Sequence, residues 1–421
     1  MRQHDGMMNA YHNLLTNISV QELLTDFIFT ENGKRSTTVV EEVSIAGRRI
    51  PKFTNEFWTS KQRQAHSLHE VSYRACFKPQ LPRFFIERLT AENDIVYDPF
   101  SGRGTTMLEA ALLGRNVAAN DINPLSNILS TPRLFPPIPE EIELRLRSVI
   151  DRRKRRSGID LSMFYHSDTL QEILSLQAYL NRSEHDSVDS WIRMVATNRL
   201  TGHSKGFFSV YTLPPNQAAS AESQRKINSS RKQKPEYRNV AGIILKKSKQ
   251  LLKDVDDRQR TRLRNIGKEA LFVVGDAGST ESIRTNTVQL TVTSPPFLDV
   301  VQYAQDNWLR CWFNGIDAKK VGKQITMSRT IDDWSAVMGR VFHELFRITK
   351  KNGWVAFEVG EVRNGKIKLD EYVVGLGIAS GFACEAIMVN AQQFTKTANI
   401  WGISNNARGT NTNRIVIFRK P

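Results

Sequence analysis

Apolar residues recur along this chain in short runs that predict strands, separated by longer stretches with helical spacing. Seven runs carry the strand pattern: 94–97, 117–121, 271–274, 288–293, 354–360, 382–389 and 414–418. Between several of them lie helical patterns. Phe84, Phe85, Ile86 and Leu89 follow Pro82, which suits the first turn of a helix. Met107 to Leu112 is a second helix, with Gly114 as its C-terminal stop. Residues 300–313 and the amphipathic stretch Asp332–Lys350, stopped at Gly353, are two more, and Tyr372–Ala379 is a further one. Strands alternating with helices predict an α/β fold, with a mostly parallel sheet and ligands at the strand carboxyl ends. The last two strands have no helix between them and are expected to pair antiparallel.

The pattern changes at both ends of this array. Residues 1–53 show a weak helical pattern through Leu14, Leu15, Ile18, Leu23, Leu24 and Phe27, a polar turn at Glu31-Asn32-Gly33-Lys34, and a short hairpin near Val39–Arg48. They read as a small docking extension. Pro132, Pro136, Pro137 and Pro139 open an insertion at 131–270 that splits the sheet pattern into 54–130 and 271–421. The insertion is helical around Glu140–Ile150 and Trp191–Leu200. It carries the run Arg152-Arg153-Lys154-Arg155-Arg156 and a glycine-rich polar loop at 201–216.

Charge makes the insertion more specific. Of 421 residues, 59 are Lys or Arg and 43 are Asp or Glu, a formal surplus of +16. Residues 225–264 alone hold fourteen Lys/Arg against four Asp/Glu. Such a local surplus points to a polyanion, with nucleic acid first. The residues expected to meet it are His203, Ser204, Lys205, Asn216, Arg225, Lys226, Arg231 and Lys232. Cys76, Cys311 and Cys384 are too few and too scattered for a disulfide framework or a zinc site, which fits a reducing compartment. With no signal pattern or membrane-length apolar run, the expectation is a cytoplasmic, nucleoid-associated protein with no metal.

Two strand ends carry candidate chemistry. The first strand runs into Asp98-Pro99-Phe100-Ser101-Gly102-Arg103-Gly104-Thr105-Thr106, and the second ends at Asp121. Glycines let backbone approach a ligand, and the following helix offers unpaired N–H groups. An acid 17 residues after Gly104 suits ribose hydroxyls. A third glycine and a Gly-Lys-Ser/Thr ending are both missing, so a nucleotide-like ligand without pyrophosphate is favoured. The fourth strand ends in Thr293-Ser294-Pro295-Pro296-Phe297. Its prolines forbid continuation as ladder or helix and leave a stiff elbow with a hydroxyl, carbonyls and an aromatic face.

The Asp98–Thr106 stretch resembles the cofactor loop of S-adenosylmethionine-dependent DNA amino-methyltransferases, and Thr293–Phe297 resembles their catalytic motif in its cytosine-amino form. The adenine form more often has Asp or Asn where Ser294 stands. Phe77-x-Pro79-x-Leu81-Pro82 is similar to the segment preceding that loop. The resemblance implies a Rossmann-like seven-stranded sheet with one antiparallel strand, and S-adenosyl-L-methionine as cofactor. It places the cofactor against Pro79, Asp98, Pro99, Phe100, Gly102, Gly104, Thr105, Thr106, Asp121, Asp276, Ala277 and Thr293. It gives catalysis to Ser294, Pro295, Pro296 and Phe297. Duplex DNA is the implied partner, with a cognate restriction endonuclease beside it.

The chemistry agrees. A ring-conjugated NH₂ is a poor nucleophile, and fixed acceptors on its hydrogens free the nitrogen lone pair. Phe297 could stack on a flipped base. None of the three cysteines follows a proline, which excludes the thiolate route to ring-carbon methylation of cytosine. The favoured reading is N4-cytosine methylation. N6-adenine methylation, RNA guanine-amino methylation and a catalytically silent DNA-binding relative are the alternatives.

Overall fold

The computed structural model describes residues 19–31, 34–58, 65–74, 76–182, 185–215, 217–296, 303–325, 328, 330–362, 367–391 and 412–421. Phe297, Asn216, Leu14, Leu15, Ile18 and the polar stretch before the last strand therefore lie outside the described residues.

Among these residues the central sheet has nine strands: β1 Val39–Ile45, β2 Arg48–Asn55, β3 Ile95–Asp98, β4 Asn116–Asp121, β5 Leu271–Val274, β6 Val288–Thr293, β7 Thr349–Val359, β8 Ala383–Ala391 and β9 Thr412–Arg419. Their spatial order is β1-β2-β8-β9-β7-β6-β3-β4-β5. The seven expected strands form one contiguous block within it. The expected count of seven is corrected to nine because β1 and β2 extend one edge. Strand β2 pairs parallel with β8, from Ile387↔Lys52 to Asn390↔Asn55. Strand β9 is antiparallel to both β8 and β7, and β1 is antiparallel to β2. The remaining pairs are parallel.

The β1–β2 hairpin turns on Ala46 and Gly47, both with positive φ (51° and 73°). Two such residues match the right-handed twist of the flanking strands. Its sequence hides its place in the sheet. Edge strand β1 leaves Val39 and Val40 exposed beside Glu41 and Glu42, so it lacks a clean alternation. Central strand β6 is the opposite case. Leu290 and Val292 are fully buried in the core on one face, Val288 in the core on the opposite face across a register shift between Val288 and Leu290, and Thr291 and Thr293 are fully buried too. That is the mark of a parallel strand covered on both faces.

The longer helices, in chain order, are α1 Gln80–Leu89, α2 Thr105–Leu112, α3 Pro139–Val149, α4 Ser167–Leu180, α5 Ser187–Arg199, α6 Ala221–Ser230, α7 Val240–Leu252, α8 Asp257–Glu269, α9 Tyr303–Phe313, α10 Ala318–Gln324, α11 Ile331–Ile348 and α12 Leu369–Ala379. On one face of the sheet, α11 and α12 enclose Val341, Phe342, Leu345, Val355, Phe357, Val373 and Phe418. On the other, Phe85, Leu108, Val96, Leu290 and Val292 pack in one core that continues into Ile173, Trp191, Ile244 and Leu251 of the insertion. The insertion thus shares its apolar interior with the sheet. Within that core Trp191 Nε1 donates to Ser248 Oγ at 3.0 Å.

The expected stop at Gly353 is corrected. Helix α11 ends at Ile348 and passes directly into β7 through Thr349. Gly353 lies inside β7, where a Cβ would sit 2.7 Å from Thr349 Cγ2 and 3.1 Å from Gln289 O. Close approach to the neighbouring strand requires glycine there. Among the described residues no helix is long and apolar enough to cross a membrane.

Candidate active site at the strand carboxyl ends

Strand β3 delivers Asp98 into a sealed position, 1% exposed. Its Oδ1 accepts the Thr293 hydroxyl at 2.6 Å and the Phe100 N–H at 3.1 Å, while Oδ2 has no partner. Burial pushes this carboxyl up to about 7, against the opposing pull of those two donors. The chain then turns through Gly102 (φ 51°) and Gly104 (φ 71°) into α2. A Cβ on Gly104 would lie 2.6 Å from Ser130 Cβ, so packing as well as backbone conformation requires glycine. Thr106 Oγ1 donates to Val292 O at 3.0 Å, tying α2 to the strand that carries the elbow.

Asp121, at the end of β4, holds the turn from the other side. Its Oδ2 accepts Gly102 N–H at 2.8 Å and its Oδ1 accepts Asn123 N–H at 2.9 Å. Burial raises it to about 6 against these bonds. Asn120, one residue earlier, donates from Nδ2 to Pro99 O and Gly275 O, both at 3.1 Å. The ends of β3, β4 and β5 are therefore laced together.

The elbow follows β6. Trp334 Nε1, from α11, donates to Pro296 O at 3.0 Å. Thr293 sits opposite Phe357 in the parallel β6–β7 ladder, so the next residue of β7, Glu358, comes beside Ser294. The Ser294 hydroxyl and the Asn413 carboxamide both hydrogen-bond the Glu358 carboxylate. Burial pushes that carboxyl above its ordinary range, and both bonds oppose the shift. Three strands, β6, β7 and β9, thus meet at one buried acid.

These features face one cavity. Pro99, Phe100, Gly102, Thr105, Asp121, Asp276 and Ala277 form one part of its wall, and Ser294, Pro295 and Pro296 another. Tyr73, Cys76, Phe77, Asn120, Ile122, Asn123 and, from α11, Val337, Met338 and Val341 complete most of it. Of the other expected cofactor residues, Asp98, Gly104, Thr106 and Thr293 stand behind the wall, and Pro79 caps the start of α1. Tyr73, Cys76, Asn120, Ile122 and Asn123 of the wall, and Glu358, were not assigned to the site from the sequence. A charged residue at the carboxyl end of an otherwise apolar strand was the available signal for Glu358.

The expected nucleic-acid residues lie elsewhere. His203, Ser204 and Lys205 are exposed on a loop whose carbonyls at Ser204 and Phe207 accept the Arg238 guanidinium. Arg225 pairs with Asp160, Lys226 with Glu222, and Arg231 lies over the Tyr211 ring at 3.8 Å. Lys232 is exposed. None of these lines the cavity. The loop is nevertheless fastened to α9, which follows the elbow. Ala218 N–H donates to Asp306 O, Trp308 Nε1 to Ala219 O, and Arg310 Nη2 to Pro215 O.

Residues 27–129 match the family described as DNA methylase. That match, together with the Type II methyltransferase relatives, supports an amino-methyltransferase family. The chain is similar to the Type II methyltransferase M.BsoBI of Geobacillus stearothermophilus, with 23% identity over 343 residues, covering 74% of this chain and 65% of that protein. It is similar to the Type II methyltransferase M.MvaI of Kocuria varians, with 29% identity over 138 residues, 32% of this chain and 27% of that protein. It thus spans just under two thirds of the first relative's length and about a quarter of the second's. A solved DNA modification methylase structure from Thermus thermophilus is 22% identical, covering 35% of this chain and 51% of that one, with a TM-score of 0.21.

Proposed function

We propose that this protein transfers a methyl group from S-adenosyl-L-methionine to the exocyclic N4 amine of cytosine in duplex DNA, in a restriction-modification setting. One observation carries the reading: the proline elbow and the glycine turn, from strand ends far apart in the chain, form walls of the same cavity.

The residues present fit the cofactor. The unpartnered, buried Asp98 Oδ2 is an acceptor that would suit the cofactor's ammonium group. Asp121 and Asp276 offer carboxylate oxygens to ribose hydroxyls and to the adenine amine, beside the apolar surfaces of Ile122 and Val337. When bound, the cofactor supplies an electrophilic methyl on a sulfonium.

The chain's own residues then act on the base. The Ser294 hydroxyl donates its hydrogen bond to Glu358, so its oxygen lone pairs are free to accept from the target NH₂. The Pro295 carbonyl is the second acceptor, held in place because Trp334 fixes the next carbonyl. Two fixed acceptors draw the amine toward a tetrahedral nitrogen before reaction, so little reorganisation remains. The same acceptors would serve N6 of adenine. The serine in place of Asp or Asn favours cytosine. A membership among DNA-modifying enzymes would place the protein with the chromosome, and a cognate endonuclease would be its counterpart.

The test is direct. Duplex DNA incubated with the protein and methyl-labelled cofactor is digested to nucleosides and separated. Label in N4-methylcytosine is expected. Label in N6-methyladenine alone would overturn the cytosine assignment, and no label in any base would overturn the enzyme.

A further inference from the structure

We propose that the extended segment 152–156, Arg152-Arg153-Lys154-Arg155-Arg156, is a preformed strip for the phosphates of duplex DNA. It extends the binding surface around α6 up to the helix that follows the elbow. The proposal rests on the functional reading above, and it assigns a site outside both the cavity and the basic residues of α6.

The strip is held in shape by its own arginines. Arg152 donates from Nε to Glu172 at 2.8 Å and lies over the Tyr237 ring. Arg155 is ion-paired to Asp151. Its N–H donates to Gln171 Oε1 at 2.6 Å, and Gln171 Nε2 returns a bond to its carbonyl. Asp151 N–H donates to Ser175 Oγ. The segment is thus pinned along α4 in non-helical conformation. The two arginines that do the pinning neutralise the nearby acids. Arg153, Lys154 and Arg156 are left exposed, and among the described residues Lys154 and Arg156 make no ion pair.

Its neighbours continue the surface. Asp160 pairs with Arg225 of α6 at 3.0 Å, and Asn228 of α6 donates to Met163 O. On the other side Trp312 Nε1 of α9 donates to Ser157 O, and Gln177 of α4 donates to Trp312 O at 2.9 Å. Helix α9 is the first described element after the elbow. A backbone lying on Arg153, Lys154 and Arg156 therefore runs between α6 and α9. Three outward cations on a fixed extended run suit a regularly spaced phosphate chain, because little side-chain or backbone order remains to be imposed on binding. Duplex DNA is the occupant because the functional reading above gives the protein a base-amine site, and because neutral sugar or protein surfaces would gain nothing from such a charge row.

The experiment compares the full chain with R153Q/K154Q/R156Q and with a control, R48Q/R49Q/K351Q, which removes the same charge from exposed positions on the sheet. Affinity for a short mixed-sequence DNA duplex, and for an RNA hairpin, is measured across a salt series. Each phosphate contact contributes roughly 0.9 to the slope of log affinity against log salt. The strip variant should lose about 2 to 3 from that slope and bind at least about tenfold more weakly at low salt. The control should keep the wild-type slope, and cofactor affinity should be equal in all three proteins. Duplex binding by the wild type with an unaltered slope in the strip variant would sink the strip. A larger loss on RNA than on DNA would overturn the choice of occupant. Wild type without duplex affinity would instead remove the functional reading beneath it.

Discussion

The Trp334 indole and the Pro296 carbonyl are joined by a 3.0 Å hydrogen bond that fixes the elbow to α11. Trp334 is itself buried, so its N–H has no water to replace that partner. Trp334→Phe should keep the apolar contact and lose the tether. A buried hydrogen bond of this kind is worth about 1–2 kcal/mol. If the tether serves the reaction, the single-turnover methylation rate should fall about tenfold, with cofactor affinity unchanged. An unaltered rate would show that the prolines hold the elbow unaided.

Ser294 and Glu358 should separate in their effects. Ser294→Ala removes an acceptor from the target amine and should cut kcat by roughly 10²-fold, the scale of losing one preorganised polar contact. Glu358→Gln keeps shape and a hydrogen-bond acceptor but removes the carboxylate that accepts the serine hydroxyl's hydrogen bond. It should cost less in kcat and should move its pH profile, because the Glu358 carboxyl is raised above its ordinary range. Equal losses without a change in pH profile would leave Glu358 a packing residue. Cofactor binding by calorimetry checks that neither change disturbs the pocket.

The Asp98 carboxyl sets a stability slope. Its folded value of about 7 exceeds its ordinary 3.8, so the folded protein holds that proton more tightly than the unfolded chain. The associated stability is fully present below about 4 and is lost as pH rises to about 7. Asp121, raised to about 6, adds in the same direction. In the absence of ligand, Tm should therefore fall over this window through these two groups, and Asp98→Asn should flatten that fall. A cationic cofactor group near Asp98 favours its ionised form, so affinity for S-adenosyl-L-methionine should rise with pH over the same range. A steeper fall in the Asn variant would contradict the assignment.

Two glycines with similar backbones should respond differently to alanine. Gly104 and Gly158 have φ of 71° and 73°. At Gly158 a Cβ meets nothing within 4 Å, so only the left-handed conformation is penalised, about 1–2 kcal/mol. At Gly104 the Cβ would also press on Ser130 Cβ at 2.6 Å and approach Arg133. Overpacking adds about 1–3 kcal/mol. Denaturant titrations of Gly104→Ala and Gly158→Ala should show that difference, and equal costs would mean the turn relaxes freely.

The sheet block was readable because its strands are short apolar runs buried on both faces, as in β6, with glycine and proline marking where they end. The elbow was readable for the same reason, since two prolines after Thr293 permit few conformations. Glu358 was not, because its role depends on register between β6 and β7, strands separated by the whole of α9 to α11. Membership of β1 and β2 in the sheet was hidden by an exposed edge and by a pairing partner more than three hundred residues away. Gly353 misled because glycine serves both as a helix stop and as a point of close strand approach. Gly104, Thr106 and Thr293 were placed with the cofactor by the resemblance; in the structure they pack and hydrogen-bond around the loop without lining the cavity.

The pairing of β2 with β8 also orders events in time. On a ribosome, residues 48–55 emerge early, yet the strand they lie against spans 383–391. Asn390 also accepts the N–H of Phe57, so its side chain is needed to finish that corner. Pairing of such sequence separation is slow to form and leaves an unpaired edge exposed meanwhile. The β1–β2 hairpin must therefore wait, solvent-exposed, until Ala383–Ala391 has been made, and truncation before Ala383 would leave it without a berth.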